Sequence, residues 1–180
     1  MRILAISGSA REASTNTALL RAMKSFTSDS IELSVFHRLD LLPVFSPDSE
    51  GEATPVAVCE FMGTVSAVDG IIISSPEYVR SIPGGLKNAI DWMVSRSEVV
   101  GKPIALVHAS HRGDDMLASL RVVLSTVSDN FLEDVFLRIP LIGKSPEEIE
   151  EFVAVPEYES QISTFLSKFE AAIQNSGGQA

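Results

Sequence analysis

Five short apolar runs, several of them dominated by β-branched residues, alternate along the chain with segments of helical periodicity. We place strands near residues 2–7, 31–36, 70–74, 103–108 and 135–142. In the segments between and after them, apolar residues recur at spacings of three and four, which is the period of an amphipathic helix. Parallel strands need a crossover connection, usually a helix, so this alternation predicts helices on both faces of a parallel sheet. The expected fold class is therefore α/β, a doubly wound sheet of five parallel strands with five helices.

The length and composition fit one globular domain that does not bind nucleic acid. The 180 residues are 45% hydrophobic, which is enough to bury a sizeable core. We assign residues 1–174 to a single domain and residues 175–180 to a disordered tail. The formal net charge is −10 and no run of Lys or Arg occurs, so the basic surface expected of a nucleic-acid-binding protein is missing.

Cysteine use and the N-terminal sequence indicate a cytoplasmic protein. Cys59 is the only cysteine, which excludes an intrachain disulfide and fits a reducing compartment. We expect its side chain in the apolar core, on a helix. The apolar run at residues 3–6 is far too short for a signal peptide or a membrane span, and no longer run follows. No spacing of Cys, His, Asp and Glu indicates a metal site.

A polar loop, GSAREASTNT at residues 8–17, follows the first strand and leads into a helix. Unpaired N–H groups and the helix dipole attract an anion at such a place, short hydroxyls add hydrogen bonds, and Gly8 allows close approach. Arg11 is the only cation in this loop and would supply charged donors. The alternative is that Ser14 or Thr15 merely caps the helix. We favour a phosphate, and a monophosphate, because the lysine motif that binds nucleotide triphosphates is absent.

The loop at residues 75–83, after the third strand, is polar and aromatic and is bracketed by prolines. Pro76 and Pro83 fix backbone angles, so the loop is rigid. Rigid backbone donors and acceptors beside Tyr78 would suit a flat heteroaromatic ring. An equally good alternative, from composition alone, is a plain turn whose charged residues are solvated and whose tyrosine covers the core.

These two loops resemble the signatures of a known family. Residues 8–17 read GSAREASTNT and residues 76–92 read PEYVRSIPGGLKNAIDW, a long pattern that is similar to that of the NADPH-dependent FMN reductase family. Residues 41–45, LLPVF, are similar to the family's leucine-proline segment. The family has a flavodoxin-like fold, which implies the strand order 2-1-3-4-5. It includes enzymes described as chromate, quinone and azo-dye reductases.

The resemblance implies a set of FMN-binding residues and an assembly. The phosphate and ribityl chain would contact Ser9, Arg11, Ser14, Thr15, Asn16 and Thr17. The isoalloxazine ring would lie against Pro76, Glu77, Tyr78, Val79 and Ser81, with Ser110 completing the pocket. Family members commonly form dimers or tetramers with the helix of Trp92 near subunit contacts, so we expect a homodimer or homotetramer. Trp92 itself fits either the core or an interface.

The chain departs from the family pattern in two places. The residue after Tyr78, often asparagine in the family, is Val79, which leaves only its backbone for hydrogen bonding. Residues 108–115 read HASHRGDD where relatives have a glycine-rich stretch. Asp114 and Asp115 fit the first turn of a helix better than catalysis. These carboxylates would repel the phosphates of a nicotinamide nucleotide, whereas His111 and Arg112 would attract them, so the sequence favours neither NADH nor NADPH.

The implied function is that of an FMN-dependent oxidoreductase. NADPH or NADH would donate a hydride to FMN and leave, and a small oxidised acceptor such as a quinone or flavin would take its place, which predicts ping-pong kinetics. The cofactor supplies the chemistry, so we assign no catalytic acid or base. Two alternatives stay open: a non-catalytic FMN carrier or redox sensor, and a flavodoxin-like domain that binds a different phosphate.

Overall fold

The computed structural model describes residues 1–177 and contains a sheet of five parallel strands. The strands are β1 (Arg2–Ser7), β2 (Glu32–Phe36), β3 (Gly70–Ser74), β4 (Ile104–His108) and β5 (Phe131–Arg138). Their order is β2-β1-β3-β4-β5, which confirms the predicted fold class and topology. The direction of the strand order reverses between β1 and β3, and in such sheets a crevice opens there at the carboxyl edge.

Helices cover both faces of the sheet. They are α1 (Thr15–Ala22), α2 (Val56–Ser66), α3 (Gly84–Val94), α4 (Asp114–Val127), α5 (Pro146–Val153) and α6 (Pro156–Gly177). The described residues thus hold six α-helices where the sequence predicts five, because the short, glutamate-rich α5 precedes the last helix. Residues 175–177 continue α6, and residues 178–180 of the predicted tail lie outside the described residues. None of the described helices has the length and apolar content needed to cross a bilayer.

The core forms two layers, one on each face of the sheet. Successive strand residues point to opposite faces, so Ile71 and Ile73 pack with α2, α3 and α4, whereas Ile72 packs with α1, α5 and α6. All three side chains are fully buried. Because β3 is covered on both faces, its residues are almost all apolar. This is why the sequence pattern identifies the central strands well.

Two sequence predictions about the core are wrong. The fifth strand occupies Phe131–Arg138 and not residues 135–142. Its neighbour β4 ends at His108, which pairs with Arg138, and β5 is an edge strand whose partly exposed residues interrupt the apolar pattern. Cys59 is exposed on α2, because the buried stripe of that helix lies on another side.

Trp92 is a core residue that joins α3 to residues 42–45. Its side chain is 1% exposed, and its Nε1 donates to the carbonyl of Pro43 at 2.8 Å. The ring of Phe45 packs against it edge to face, with 5.0 Å between centroids. One turn earlier in α3, the side chain of Asn88 accepts from the N–H of Phe45 at 2.8 Å and donates to the carbonyl of Pro43 at 3.0 Å. Two of the family-like stretches therefore hold each other in place.

Candidate functional site

A cleft of about 400 Å³ opens at the carboxyl edge of the sheet. It lies between the loops that follow β1, β3, β4 and β5. Its lining consists of residues 15 and 16, residues 75–77, residues 108–110, 112 and 113, and residues 141–144. The volume falls in the range of small-molecule sites, and the position agrees with the reversal of strand order.

The loop of residues 8–17 is held by hydrogen bonds from its hydroxyl side chains to its own backbone and to the end of β1. Ser14 caps α1, and its Oγ accepts from the N–H of Thr17 at 3.4 Å. The hydroxyl of Thr17 donates to Oγ of Ser7 at 2.8 Å, and Oγ of Ser9 accepts from the N–H of Arg11 at 3.2 Å. The capping role considered from the sequence is therefore present, and these hydroxyls fix the shape of the loop.

Helix α1 presents free donors to the cleft. Within the part of the chain that the structure describes, the N–H groups of Thr15 and Asn16 have no hydrogen-bond partner, as is normal in the first turn of a helix. Both residues line the cleft. Arg11, in the same loop, is exposed and forms no ion pair with a described residue. This donor set suits an anion.

Gly8 brings the loops after β1 and β3 into close contact. Its N–H donates to the carbonyl of Ser74 at 2.7 Å. A Cβ at this position would lie 2.5 Å from Oγ of Ser75 and 2.9 Å from Cδ2 of Leu86, so only glycine fits without a shift. The hydroxyl of Ser74 donates to Oδ1 of Asn16 at 2.9 Å, and both side chains are buried. The two loops are therefore packed as one unit at the base of the cleft.

The loop of residues 75–83 contains a strained two-residue turn. The N–H of Tyr78 donates to the carbonyl of Ser81 at 3.1 Å, and the N–H of Ser81 donates back to Tyr78 at 3.0 Å. Between them, Val79 and Arg80 have φ angles of 52° and 58°. This is the left-handed region, which a β-branched residue adopts only at a cost. Val79 is 99% exposed, so packing of its side chain does not repay that cost.

Two contacts connect this loop to the first turn of α4. Oε2 of Glu77 accepts from the N–H of Met116 at 3.1 Å, which satisfies one of the free donors at the start of the helix. Nε of Arg80 lies 2.5 Å from the carboxylate of Asp115. The carboxylate of Glu77 thus supports the loop and helix α4.

The two neighbouring aspartates of α4 are both paired with arginines. Asp114 and Asp115 begin the helix, as predicted. Asp114 lies 2.5 Å from Nη2 of Arg138, and the hydrogen bond to that guanidinium lowers the pKa of Asp114. Asp115 is the partner of Arg80. The repulsion that these carboxylates would exert on an anionic ligand is reduced accordingly.

The buried side chain of His108 holds the loop after β4 by a hydrogen bond. It is 1% exposed, and its Nε2 donates to the carbonyl of Arg112, since a carbonyl oxygen can only accept. A Cβ at Gly113 would lie 3.0 Å from the imidazole ring. Burial lowers the pKa of His108, so the ring is neutral near pH 7. The N–H of Arg112 donates to Oγ of Ser110 at 3.0 Å, which fixes this loop at a second point.

The predicted site residues are distributed unevenly around the cleft. Those that line it are Thr15, Asn16, Pro76, Glu77 and Ser110. Others, Ser9, Arg11, Ser14 and Thr17, belong to the adjoining loop, and Tyr78, Val79 and Ser81 form the turn next to the lining. Sequence reasoning missed residues 141–144, because the fifth strand was predicted to include residues 141 and 142. The Gly-Lys-Ser-Pro run at residues 143–146, typical of a turn before a helix, is the signal that would have revealed this loop.

Comparison with known proteins gives a consistent set of relatives. A family model described as NADPH-dependent FMN reductase matches residues 1–137. A protein of Oryza sativa named "Probable NADPH:quinone oxidoreductase 2" is 44% identical over 95 residues, which are 51% of this chain and 47% of that protein. The quinone reductase of Escherichia coli is 31% identical over 116 residues, 63% of this chain and 61% of that protein. This chain thus spans about half to three fifths of the length of these curated relatives.

A solved structure shares the fold over almost the whole chain. It is the flavoenzyme NAD(P)H:(acceptor) oxidoreductase FerB from Paracoccus denitrificans, with a TM-score of 0.69 and 21% sequence identity. The match covers 98% of this chain and 97% of that chain. At this level of identity the likeness concerns the arrangement of strands and helices.

Proposed function

Because the chain belongs to the NADPH-dependent FMN reductase family, we propose that it is an FMN-dependent oxidoreductase that transfers electrons from NADPH or NADH to quinones, flavins or similar small molecules. The description of the family names FMN and NADPH, which confirms the predicted cofactor chemistry. The relatives named above carry the names of quinone reductases, which supports a small-molecule acceptor for this chain as well.

One observation carries the proposal: free donors at the start of α1 open into the same cleft as the rigid backbone of residues 75–77. The N–H groups of Thr15 and Asn16, at the positive end of the helix, have the chemistry to bind a monophosphate. Arg11 adds charged donors from the same loop. We therefore assign the FMN phosphate to these three residues. The remaining predicted phosphate-side residues, Ser9, Ser14 and Thr17, would keep the loop in shape.

We assign the ring of FMN to the wall of the cleft formed by Pro76, Glu77 and Ser110. The carboxylate of Glu77 is already bonded to α4, so we expect the backbone of this loop to provide the hydrogen bonds to the ring. Tyr78 is half-exposed at the edge and can cover an aromatic ligand. Val79 and Ser81 would act through the backbone of the turn that contains them.

When bound, FMN supplies the two-electron chemistry, and the protein supplies binding and orientation. The neutral ring of His108 commits its Nε2 proton to the carbonyl of Arg112, so it holds the loop and does not transfer that proton. The donor and the acceptor would use the same open cleft in turn. Double-reciprocal plots at several fixed acceptor concentrations should therefore give parallel lines, as in a ping-pong mechanism.

The visible spectrum of the purified protein tests this proposal. We expect the protein to take up FMN, the flavin absorbance to bleach when NADPH or NADH is added without oxygen, and a quinone to restore it. A protein that binds FMN but does not oxidise either nucleotide in the presence of a quinone would be a carrier or sensor. Failure to take up FMN would contradict both functions.

Substitution of Arg11 tests the phosphate assignment separately. Arg11→Ala should raise the Kd for FMN about tenfold, because a charged hydrogen bond is lost. Arg21→Ala is the matched control, since Arg21 is exposed at the far end of α1 and should leave the Kd unchanged. The predicted homodimer or homotetramer and the predicted cytoplasmic location stay predictions. Light scattering of the FMN-loaded protein would measure the assembly.

A further inference from the structure

The cleft is lined by two cations in a chain whose net charge is −10. They are Arg112, in the loop after β4, and Lys144, in the loop after β5. Neither forms an ion pair with any residue that the structure describes. Two cations without an ion pair at one site of an acidic protein concentrate positive charge there, which would attract an anion.

The acidic groups nearest these cations already have partners. Asp114 and Asp115 are paired with arginines outside the lining, and the carboxylate of Glu77 accepts from the start of α4. Glu148 lies close to Lys144 in sequence, but its carboxylate accepts from the N–H of Ser145 at 2.7 Å and caps α5. Glu77 and Glu148 keep their negative charges, but Glu77 is the only acidic residue of the lining, so the described lining carries two cations and one anion.

Local contacts hold the backbone of Arg112 and the side chain of Lys144. The backbone of Arg112 is fixed on both sides, by Oγ of Ser110 and by the imidazole of His108, while its side chain is exposed. Lys144 ends a tight turn in which Gly143 has a φ of 84°. Its ammonium group lies 4.9 Å from the centroid of the Phe152 ring, a contact that favours a fixed position.

The two cations follow other strands than the phosphate site at α1 does. Arg112 follows β4, whose end is two strands, or about 10 Å, from the end of β1. Helix α5 begins two residues after Lys144 and packs against α1, so the loop of Lys144 reaches back toward α1. The lining also includes Leu141 and the half-exposed Ile142, which suit the apolar part of a ligand.

We propose that Arg112 and Lys144 form a second anion subsite, which binds an anionic group on the molecule that exchanges electrons with FMN. The proposal rests on the function proposed above and adds a substrate class to it. The anionic group is either a phosphate of the nicotinamide nucleotide or a sulfonate or carboxylate on a flat aromatic acceptor. Both sources share the chemistry that an arginine and a lysine recognise.

A double variant, Arg112→Gln with Lys144→Gln, tests the subsite in the FMN-loaded protein. The matched control, Arg21→Gln with Lys168→Gln, removes the same charge outside the cleft. The kcat/KM values are measured for naphthoquinone and naphthoquinone sulfonate, and for NADPH and NADH. In a ping-pong mechanism kcat/KM for the acceptor is independent of the donor. The effect on the quinones is therefore measured separately from the effect on the nucleotides. Comparing each substrate across the variants cancels differences in its redox potential.

If the acceptor carries the anion, the double variant should lower kcat/KM for the sulfonated quinone about tenfold and that for the neutral quinone less than about twofold. If the nucleotide carries it, a similar loss should fall on both nucleotides and not on the quinones, or on NADPH alone where the anion is the phosphate that NADH lacks. Either result supports the subsite and identifies its ligand. Equal losses for all four substrates, or no loss, would overturn it, because the charges would then act on FMN or on nothing.

A binding measurement makes the test independent of turnover. Calorimetry with naphthalene sulfonate, which cannot be reduced at the flavin, should show a Kd about tenfold higher for the double variant than for wild type and control. Equal Kd values in all three proteins would contradict an anion subsite for aromatic acceptors. If wild type binds the sulfonate but oxidises neither nucleotide with either quinone, the proposed function fails and the subsite stands.

Discussion

In the loop of residues 8–17 most hydroxyl and amide side chains are buried and bond to the loop backbone or to strands of the sheet, whereas in the loop of residues 75–83 the turn is exposed. The first loop is anchored to the sheet, as by the bond between Thr17 and Ser7 at the end of β1. The second depends on α4, through Glu77, and contains the left-handed Val79. In the proposed function, the first loop would hold the FMN phosphate. The second loop, which is attached to α4, would lie beside the exchanging substrates.

The largest expected effect comes from the point where the two loops touch. Gly8→Ala places a Cβ 2.8 Å from Cβ of Ser75 and 2.9 Å from the buried Leu86. Overpacking of this kind should lower the free energy of unfolding by about 3 kcal/mol and weaken FMN binding. Gly63→Ala, in α2 with nothing within 4 Å of the new Cβ, should raise stability by about 0.5 kcal/mol or more. Urea unfolding measures the free energy of unfolding of both variants. If Gly8→Ala changed it no more unfavourably than Gly63→Ala, the contact between the two loops would not contribute to stability.

The residue types of the first loop predict its structure well. Hydroxyl and amide side chains before an apolar helix indicate a cap and an anion site, and the structure has the cap at Ser14 with free donors at Thr15 and Asn16. The bond between Ser74 and Asn16 could not be predicted, because it joins residues far apart in sequence. Local patterns predict local hydrogen bonds, and contacts between loops depend on the packed sheet.

Loss of one internal bond should be the next largest effect. Thr17→Val keeps the shape of the side chain but removes the hydroxyl that donates to Ser7, and both groups are buried. We expect a loss of about 2 kcal/mol in the free energy of unfolding. Thr64→Val is the control, because the hydroxyl of Thr64 only bonds back to Glu60 within α2 and its removal should change stability by less than about 0.5 kcal/mol. A smaller loss for Thr17→Val would mean that solvent supports this loop.

The support that the second loop receives from α4 should depend on pH, because His108 holds the loop that leads into α4. Burial lowers the pKa of this histidine in the folded protein, so the unfolded chain binds more protons once the pH falls below about 6.5. Stability should then decrease as the pH falls, by up to about 1.4 kcal/mol per pH unit. The lowered pKa of Asp114 acts only near pH 4 and below, outside this window.

Two measurements isolate this effect. His108→Gln should flatten the dependence of unfolding free energy on pH between about 5 and 6.5. In wild type, as the pH falls through this range, the protection factor for hydrogen exchange should decrease more at the N–H of Met116, which Glu77 holds, than at that of Thr17. An equal decrease at both sites would show that acid opens the two loops together.

The second loop is harder to predict from its residue types. The sequence correctly indicates a rigid, proline-bracketed turn, but Glu77 looks like a ligand or a solvated charge and is in fact bonded to α4. Its partner Met116 follows another strand, and an apolar residue gives no sign that its N–H needs an acceptor. The cleft wall at residues 141–144 was not predicted for a related reason: β5 ends at Arg138, where its neighbour β4 ends, and the apolar residues 139, 141 and 142 that follow look like more strand.

The smallest expected effect, and the only gain of stability inside either loop, is at the strained turn. Val79→Asn keeps the backbone hydrogen bonds of Tyr78 and Ser81 while placing a residue that tolerates positive φ. The free energy of unfolding should rise by about 1 kcal/mol. Val122→Asn, at another exposed valine but on α4, should change it by less than about 0.5 kcal/mol. If the stabilised variant has a lower kcat with an unchanged Kd for FMN, the strain of Val79 serves substrate exchange. If kcat is unchanged, the turn is strained without benefit to turnover, and the contrast between the loops concerns stability alone.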